Sequence, residues 1–509
     1  MVITTRRQTN YAHSRKAVLL SSLLLTLPNS QPVFAAPDWR LTPTLNLTQS
    51  FTDNFRLNTS DGSSEFITEI TPGATLTRQG NRVNLALNYQ MQYVDYLSTL
   101  TSDQVNHRLS LSSESEIIED SLFLDANARY TQQLIDRRSA NTGDNLLDPG
   151  NFTDTWVFDL QPSWRRRLDT PLGAKTTVGI DTTVNTVGYN NLGDDSSGYG
   201  IRAFVETAAG KTPFSWSISA EHRRADPDRS LTQQTETYDA TIGYRISPKT
   251  EGRLRYGYVD NHLDDPTDED AGVGDFWGAQ LLLHPNARTT LDINYNSRLL
   301  GTNDRGFTLT HRRRHTTWSL RHSESVSSTR QEFLQFTPAG ALICPAGDDF
   351  LLSECRLVES GEAVLPGPDE QVFVVGAPLP TLREDRFIQE STNANLVIKV
   401  SKTTLNLGLF QRDRELQQQV SKERDSGTNI AWTLRLSGRT KTTVQFTWTR
   451  IETLGLPTDY QRAVVFIGTK KLTPESGLSL TIRHNERDSS DPRRAFSENR
   501  VAIAYNRTF

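Results

Sequence analysis

Trp39-Arg40-Leu41-Thr42-Pro43-Thr44-Leu45-Asn46-Leu47-Thr48-Gln49-Ser50-Phe51-Thr52 decides the fold class. Its apolar side chains take the odd positions: Trp39, Leu41, Pro43, Leu45, Leu47 and Phe51, and the same phase continues to Phe55 and Leu57. Arg40, Thr42, Thr44, Asn46, Thr48, Ser50, Asn54 and Arg56 take the even ones. In a helix this spacing would scatter the apolar groups round the axis. In a strand it gathers them on one face.

The two-residue period returns along the whole chain. Val83, Leu85, Leu87, Tyr89, Met91 and Tyr93 alternate with Asn84, Asn88, Gln90 and Gln92. Similar runs fall at residues 122–130, 156–164, 178–184, 214–220, 238–244, 291–295, 405–409, 430–436, 444–448, 478–482 and 501–509. The connections alternate too. Short turns carry Gln79-Gly80-Asn81, Ser247-Pro248-Lys249, His284-Pro285-Asn286 and Ser437-Gly438, all turn formers. Longer polar loops lie between them, as at 58–65, 98–105, 134–153, 260–274, 299–305, 413–424 and 485–497. A transmembrane barrel segregates its connections in this way, with short periplasmic turns and long external loops. Closure into a barrel is required because backbone groups in hydrocarbon have no water to bond. The expected fold is therefore all-β: a transmembrane antiparallel outer-membrane β-barrel of about 22 strands, with 18–20 as the alternative. A barrel that wide is the size of the plugged transporters. Because the alternation begins at Trp39, no plug domain is expected, and TonB-dependent transport is disfavoured.

Composition agrees. The hydrophobic fraction is 35%, and charged residues make up 23%. Mean hydropathy is −0.53. No run of apolar residues is long enough for a spanning helix beyond the leader region, but a barrel needs only every second residue to be apolar. The net charge of −5 argues against a nucleic-acid partner. The 43 aromatic residues are spread along the length, which excludes a disordered chain.

Arg6, Arg7, Arg15 and Lys16 precede an apolar stretch at 17–27, and Val33 and Ala35 fit a small-residue cleavage site. The pattern reads as a secretory signal peptide, residues 1–35, cleaved after Ala35. Residues 36–509 are then the barrel, inserted in outer-membrane lipid. At the other end Val501, Ile503, Tyr505 and Phe509 continue the alternation to the last residue, broken at Arg507. That pattern resembles the signal by which the barrel-assembly machinery recognises its clients.

With the apolar face toward lipid, the polar face lines the lumen. The candidates are Arg40, Asn84, Asn88, Gln90, Gln92, Asp125, Asn127, Arg129, Asp159, Gln161 and Asp181. Asn185, Arg202, Glu206, Arg253, Arg255, Asp292, Asn294, Asn296, Lys399, Asn406 and Arg435 complete the set. Amides and hydroxyls of this kind hydrogen-bond sugar hydroxyls. The same charges also suit mutual pairing that fills the interior.

The longest irregular stretch is 327–385, which holds the only cysteines, Cys344 and Cys355. In an exported chain a disulfide closing this loop is expected, with a gate or a protease-resistant surface loop as its role. The acidic residues Asp264, Asp265, Asp268, Glu269 and Asp270 lack the spacing of a calcium loop and read as solvated. Arg312, Arg313 and Arg314 read as a solvated turn near lipid headgroups. No catalytic motif, cofactor site or metal site is found: there is no G-x-S-x-G, H-E-x-x-H or phosphate-binding loop. His311 and His315 lie on an alternating strand and do not form a helical ligand pair. A non-enzymatic role is expected.

Several segments together are familiar: Trp39-Arg40-Leu41-Thr42-Pro43, Phe51-Thr52-Asp53-Asn54 and Phe66-Ile67-Thr68-Glu69-Ile70-Thr71-Pro72-Gly73. The strand at 89–96, Asn106-His107 and Glu119-Asp120-Ser121-Leu122-Phe123-Leu124-Asp125-Ala126 follow in the same order. The chain resembles the PEP-CTERM/exosortase-system-associated outer-membrane β-barrel proteins, a porin-like family, most closely over residues 39–133. The resemblance implies a Gram-negative channel serving exopolysaccharide export or envelope assembly, with polysaccharide-export components as partners. It carries no catalytic residues over. A non-conducting structural or surface-interaction barrel is the alternative.

Overall fold

A computed structural model describes residues 39–59, 62–98, 101–136, 139–140, 142, 144–169, 175–190, 195–207, 212–229, 231–263, 273–299, 302–334, 340–345, 356–358, 370–375, 386–416 and 421–509. The expected signal peptide, the Cys344–Cys355 pairing and the acidic cluster at 264–270 lie outside them.

The first strands are β1 (Trp39–Thr52), β2 (Glu65–Arg78), β3 (Val83–Tyr96), β4 (Gln104–Ile118), β5 (Leu122–Leu134), β6 (Phe152–Asp169), β7 (Lys175–Tyr189) and β8 (Ser196–Thr207). Next come β9 (Phe214–Pro227), β10 (Gln233–Ser247), β11 (Thr250–Leu263), β12 (Gly274–Asn286), β13 (Thr289–Leu299), β14 (Thr302–Arg312) and β15 (Thr316–Ser328). A short helix α1 (Thr329–Leu334) and a small sheet of β16 (Gly340–Pro345), β17 (Arg356–Val358) and β18 (Glu370–Val375) follow. The last strands are β19 (Arg386–Val400), β20 (Thr403–Leu416), β21 (Ser421–Ser437), β22 (Thr440–Thr453), β23 (Asp459–Thr473), β24 (Ser476–Asp488) and β25 (Phe496–Thr508).

Twenty-two of these strands form one sheet. Each pairs antiparallel with its neighbour in sequence, and β15 pairs with β19 across the helix and small sheet. The sheet closes where β25 pairs with β1, from Thr52 opposite Arg500 to Thr44 opposite Thr508. Closure leaves no strand edge unpaired, as a lipid environment demands. The 18–20-strand alternative is therefore excluded.

The outer face is apolar. On β10 and β11, Tyr238, Ile242, Tyr244, Leu254 and Tyr256 are all exposed. In water so continuous a patch would mark an interface; round a closed barrel it is the surface that meets lipid. Trp156 and Trp164 share this face of β6, eight positions apart. That is roughly 26 Å of strand at ~3.3 Å per residue, close to the ~25 Å apolar band of outer-membrane barrels. Several strands overrun the band toward the long-loop end, which shrinks the expected loop at 299–305: Leu299 already pairs with Thr302.

Two sequence expectations are corrected inside the barrel. Phe55 and Leu57 leave the lipid face, because β1 ends at Thr52 and the chain turns, with Leu57 in the left-handed region at φ 51°. Both side chains are buried against Ile67, Val94, Tyr96, Ala140, Leu146, Leu147 and Phe496. The second correction concerns the lumen, expected to be unobstructed by a plug. The β5–β6 connection folds inward to build that apolar cluster, and α1 builds another with Val157, Val187 and Tyr189 around Phe333. Each fully buried aliphatic or aromatic side chain contributes ~1.5–3 kcal/mol, so these segments are held in place rather than resting loosely.

Candidate pore and its constriction

Ladder register settles which face each expected lumen residue occupies. Across β3–β4, Asn84 is opposite Glu114, Asn88 opposite Ser110, Gln90 opposite Arg108 and Gln92 opposite Asn106. Asp125, Asn127 and Arg129 are opposite Gln161, Asp159 and Val157, and Asp159 is in turn opposite Asn185. Asp181 is opposite Arg202, and Glu206 is opposite Ser217. Arg253 and Arg255 are opposite Gln280 and Gly278. Asp292, Asn294 and Asn296 are opposite Thr308, Gly306 and Asp304. Lys399 is opposite Thr404 and Asn406 opposite Val397, while Arg435 is opposite Lys441. Arg40 starts β1 in the same phase and is exposed. All lie in the phase opposite to the exposed apolar residues.

Many of these groups satisfy one another. Arg255 donates to both carboxylate oxygens of Asp239 at 3.0 and 3.1 Å. Arg165 and Arg202 lie 3.2 and 3.7 Å from Asp181. Gln280 donates to Asp292 at 2.9 Å. Such pairs fix side-chain directions while leaving room between opposite walls.

Toward the long-loop end the wall charges engage the inserted segments. Asp144 of the β5–β6 connection receives Arg483 at 3.0 Å and also pairs with Arg500. Its neighbour Asn145 donates to Gln92 at 2.9 Å, and Gln92 donates to the buried Glu69 at 2.8 Å. Tyr96 donates its hydroxyl to the Leu146 carbonyl at 3.1 Å. Arg487 reaches the Ser139 carbonyl at 2.8 Å and Asp459 at 2.7 Å. Burial alone would raise the Asp144 carboxyl; the Arg500 and Arg483 guanidiniums outweigh it and hold the group at about 2. Ion pairs this deep contribute little net stability but impose one geometry, since removing either partner strands the other's charge.

Helix α1 ties a second pair of walls. Arg129 donates to the Phe333 carbonyl at 2.8 Å, and Arg330 donates to Asn185. On the other side Glu332 pairs with Arg414 and lies 3.6 Å from Arg412. Arg412 also reaches Asp425 at 3.4 Å, and Arg414 lies 4.6 Å over the Phe387 ring. Gly198 makes the crossing possible, because a β-carbon there would collide with the Arg330 guanidinium. Counting round the sheet, β7 and β20 are ten strands apart one way and twelve the other. The six-residue helix thus bridges nearly opposite walls. Of these residues, the sequence reading singled out only Arg129, Asn185 and Gln92. The missed signal was Arg483 and Arg487, inward-phase charges whose ladder neighbours are Val465 and Arg500, and Gln461 and Phe496, with no opposite charge directly across; Arg412 and Arg414 gave no such signal, because they face Asp425 and Glu423.

The remaining expectations are placed as follows. Val501 and Ile503 are exposed on the outer face of β25, and Phe509 follows with Arg507 stacked at 4.8 Å over its ring. Tyr505 is opposite Leu47. Arg312, Arg313 and Arg314 are exposed at the β14–β15 turn. His311 bonds to Thr289 at 2.8 Å and His315 to the Lys399 carbonyl at 3.1 Å, so their side chains serve different contacts.

A closed barrel that is apolar outside, polar inside and narrowed by its own inward-folded segments defines an outer-membrane β-barrel protein. No family model matches the chain, and no curated protein matches it. Among solved structures the fold is similar to the FrpB iron transporter (F5-1 variant) of Neisseria meningitidis. Identity there is 7%, the match covers 93% of this chain and 82% of that one, and the TM-score is 0.49. It is also similar to the siderophore receptor PirA of Pseudomonas aeruginosa, at 8% identity, 92% and 80% coverage and a TM-score of 0.44. The expectation of a barrel with no plug domain is dropped on the barrel's own contacts: the β5–β6 connection and helix α1 are packed against the inner wall in two apolar clusters.

Proposed function

We propose that this chain is a gated outer-membrane pore that serves exopolysaccharide export or envelope assembly in an exosortase-type system. The observation carrying the reading is the inner face itself: amides, hydroxyls and paired charges line the wall up to a constriction held by noncovalent contacts. A wall of that kind exchanges hydrogen bonds with sugar hydroxyls as a chain slides past. The constriction is made of loop and helix, the elements most able to move, and it performs gating without covalent chemistry. The partners in this reading are outer-membrane lipid, the barrel-assembly machinery acting on β25, and polysaccharide-export components at the turn end.

Deleting the chromosomal copy tests the biological half. Loss of a cell-surface polymer, restored by the full-length protein, supports it; unchanged secretion refutes it. The second reading, a non-conducting barrel whose loops bind a partner, is favoured by one observation: two apolar clusters anchor the inserted segments. It requires that the protein stay electrically silent in planar bilayers even after residues 327–385 are removed.

A further inference from the structure

One arc of the inner wall is covered. On β21 every inward position from Glu423 to Ala431 is buried, and on β22 so are Lys441, Thr443 and Gln445. Other arcs differ. Arg253 of β11 and Arg321 of β15, inward residues at similar distances from their own short turns, are exposed. Long polar side chains are seldom buried unless something pairs with them, and Asn429 and Lys441 each have an interaction partner. A bare wall would leave them open to the lumen.

The helix α1 covers only the loop-end part of this arc, where Glu332 meets Arg412 and Arg414. The element that lies against β21 is β18, an edge of the small sheet in the order β17–β16–β18. The connection that carries this sheet leaves and re-enters the wall at one point of the long-loop rim, where Ser328 is opposite Arg386. The charges are complementary. Residues 340–375 contain seven carboxylates and one basic residue, Arg356. Residues 391–411 and 426–451 of the facing wall contain no Asp or Glu and include Lys399, Arg435 and Lys441.

We propose that the small sheet β16–β18 is an internal plug, seated on the inner wall of β20–β22 from Arg414 down to Lys441. The covered arc is its seat, and the net negative charge of the segment favours that basic wall over any other arc. Opposite charges hold more firmly in such a narrow gap than they do in bulk water. Both ends of the segment are fixed at the long-loop rim, so the sheet leaves the lumen only toward that side. The inference rests on the gated reading for its role and names the element that closes the pore.

The experiment is thiol labelling of the full-length chain in nonionic detergent with a polar maleimide, after Cys344→Ser and Cys355→Ser have removed the native thiols. Gln445→Cys reports the seat, and Arg321→Cys reports the open wall. The Gln445→Cys variant should label about tenfold more slowly than Arg321→Cys, since a covered site reacts only when its cover opens. Replacing residues 340–375 with a short Gly-Ser linker should bring the two rates together. In the full-length chain Lys441→Glu should speed labelling of Gln445→Cys, and Arg253→Glu should not. Heat-dependent gel mobility selects folded barrels. A repeat with both native cysteines in place, the labelled peptide identified by mass, shows whether the serines themselves loosen the sheet. Fast labelling at position 445 in that repeat, slow labelling after the sheet is removed, or no effect of Lys441→Glu would each overturn the proposal. A seated sheet in a barrel that never conducts, even without residues 340–375, refutes gated export and leaves the seat standing.

Discussion

Asp144, in the connection between β5 and β6, lies 3.0 Å from Arg483 of β24, 339 positions further along the chain. The contact ties the β5–β6 insert to the far end of the chain through one carboxylate held by two guanidiniums.

Asp144→Asn should therefore loosen the insert. It removes the carboxylate that Arg483 and Arg500 share and leaves Glu498, 3.8 Å from Arg500, as the remaining counter-charge, at a cost of up to about 3–5 kcal/mol for a broken buried pair. Hydrogen exchange at Asn145 to Leu147 should speed up in the variant while exchange in the wall strands stays slow. Unchanged protection of the insert would show that the pair is dispensable.

Acid should act on the same contact, and only at low pH. The Asp144 carboxyl is held at about 2 in the folded chain, below the ~3.9 of a free aspartate. The contact thus contributes fully above about pH 4 and is lost as pH falls through about 2. Protection of the insert should be flat from pH 8 to pH 5 and collapse near pH 2. A midpoint near neutrality would assign the control to another group.

Leu147→Ala removes a side chain that is 1% exposed in the cluster with Phe55 and Tyr96. A cost of ~2–5 kcal/mol is expected for a cavity of this kind, confined to the insert. Limited proteolysis should then cut the β5–β6 connection first and leave the barrel intact. Loss of the whole barrel would mean that the cluster supports the wall as well.

Gly198→Val should displace Arg330 from the β8 backbone, because the added β-carbon occupies the guanidinium's place. The helix would then lose its hold on Asn185 while the Glu332 pairs with Arg412 and Arg414 survive. Tryptic cleavage after Arg330 should accelerate; wild-type resistance would show that the far-side contacts suffice.

The wall was legible from the sequence because lipid imposes a period of two on every strand, and the run from Trp39 to Thr52 shows it with Gln49 as its one break. The inserts were not legible. Leu146, Leu147 and Phe333 are isolated apolar residues in polar connections, where no periodicity marks a buried face. Phe55 and Leu57 misled in the opposite direction, since they continue the β1 phase past the turn that takes them inside. Pairings such as Asp144 with Arg500 depend on which strands lie near each other round a closed sheet, which alternation does not encode.

Single-protein conductance in planar bilayers tests gated passage most directly, comparing the wild type with Glu332→Gln and the double variant D144N/E332Q. The account predicts small or rare steps for the wild type, larger and more frequent steps for Glu332→Gln, and the largest for the double variant. Identical traces from all three, whether silent or open, would contradict it.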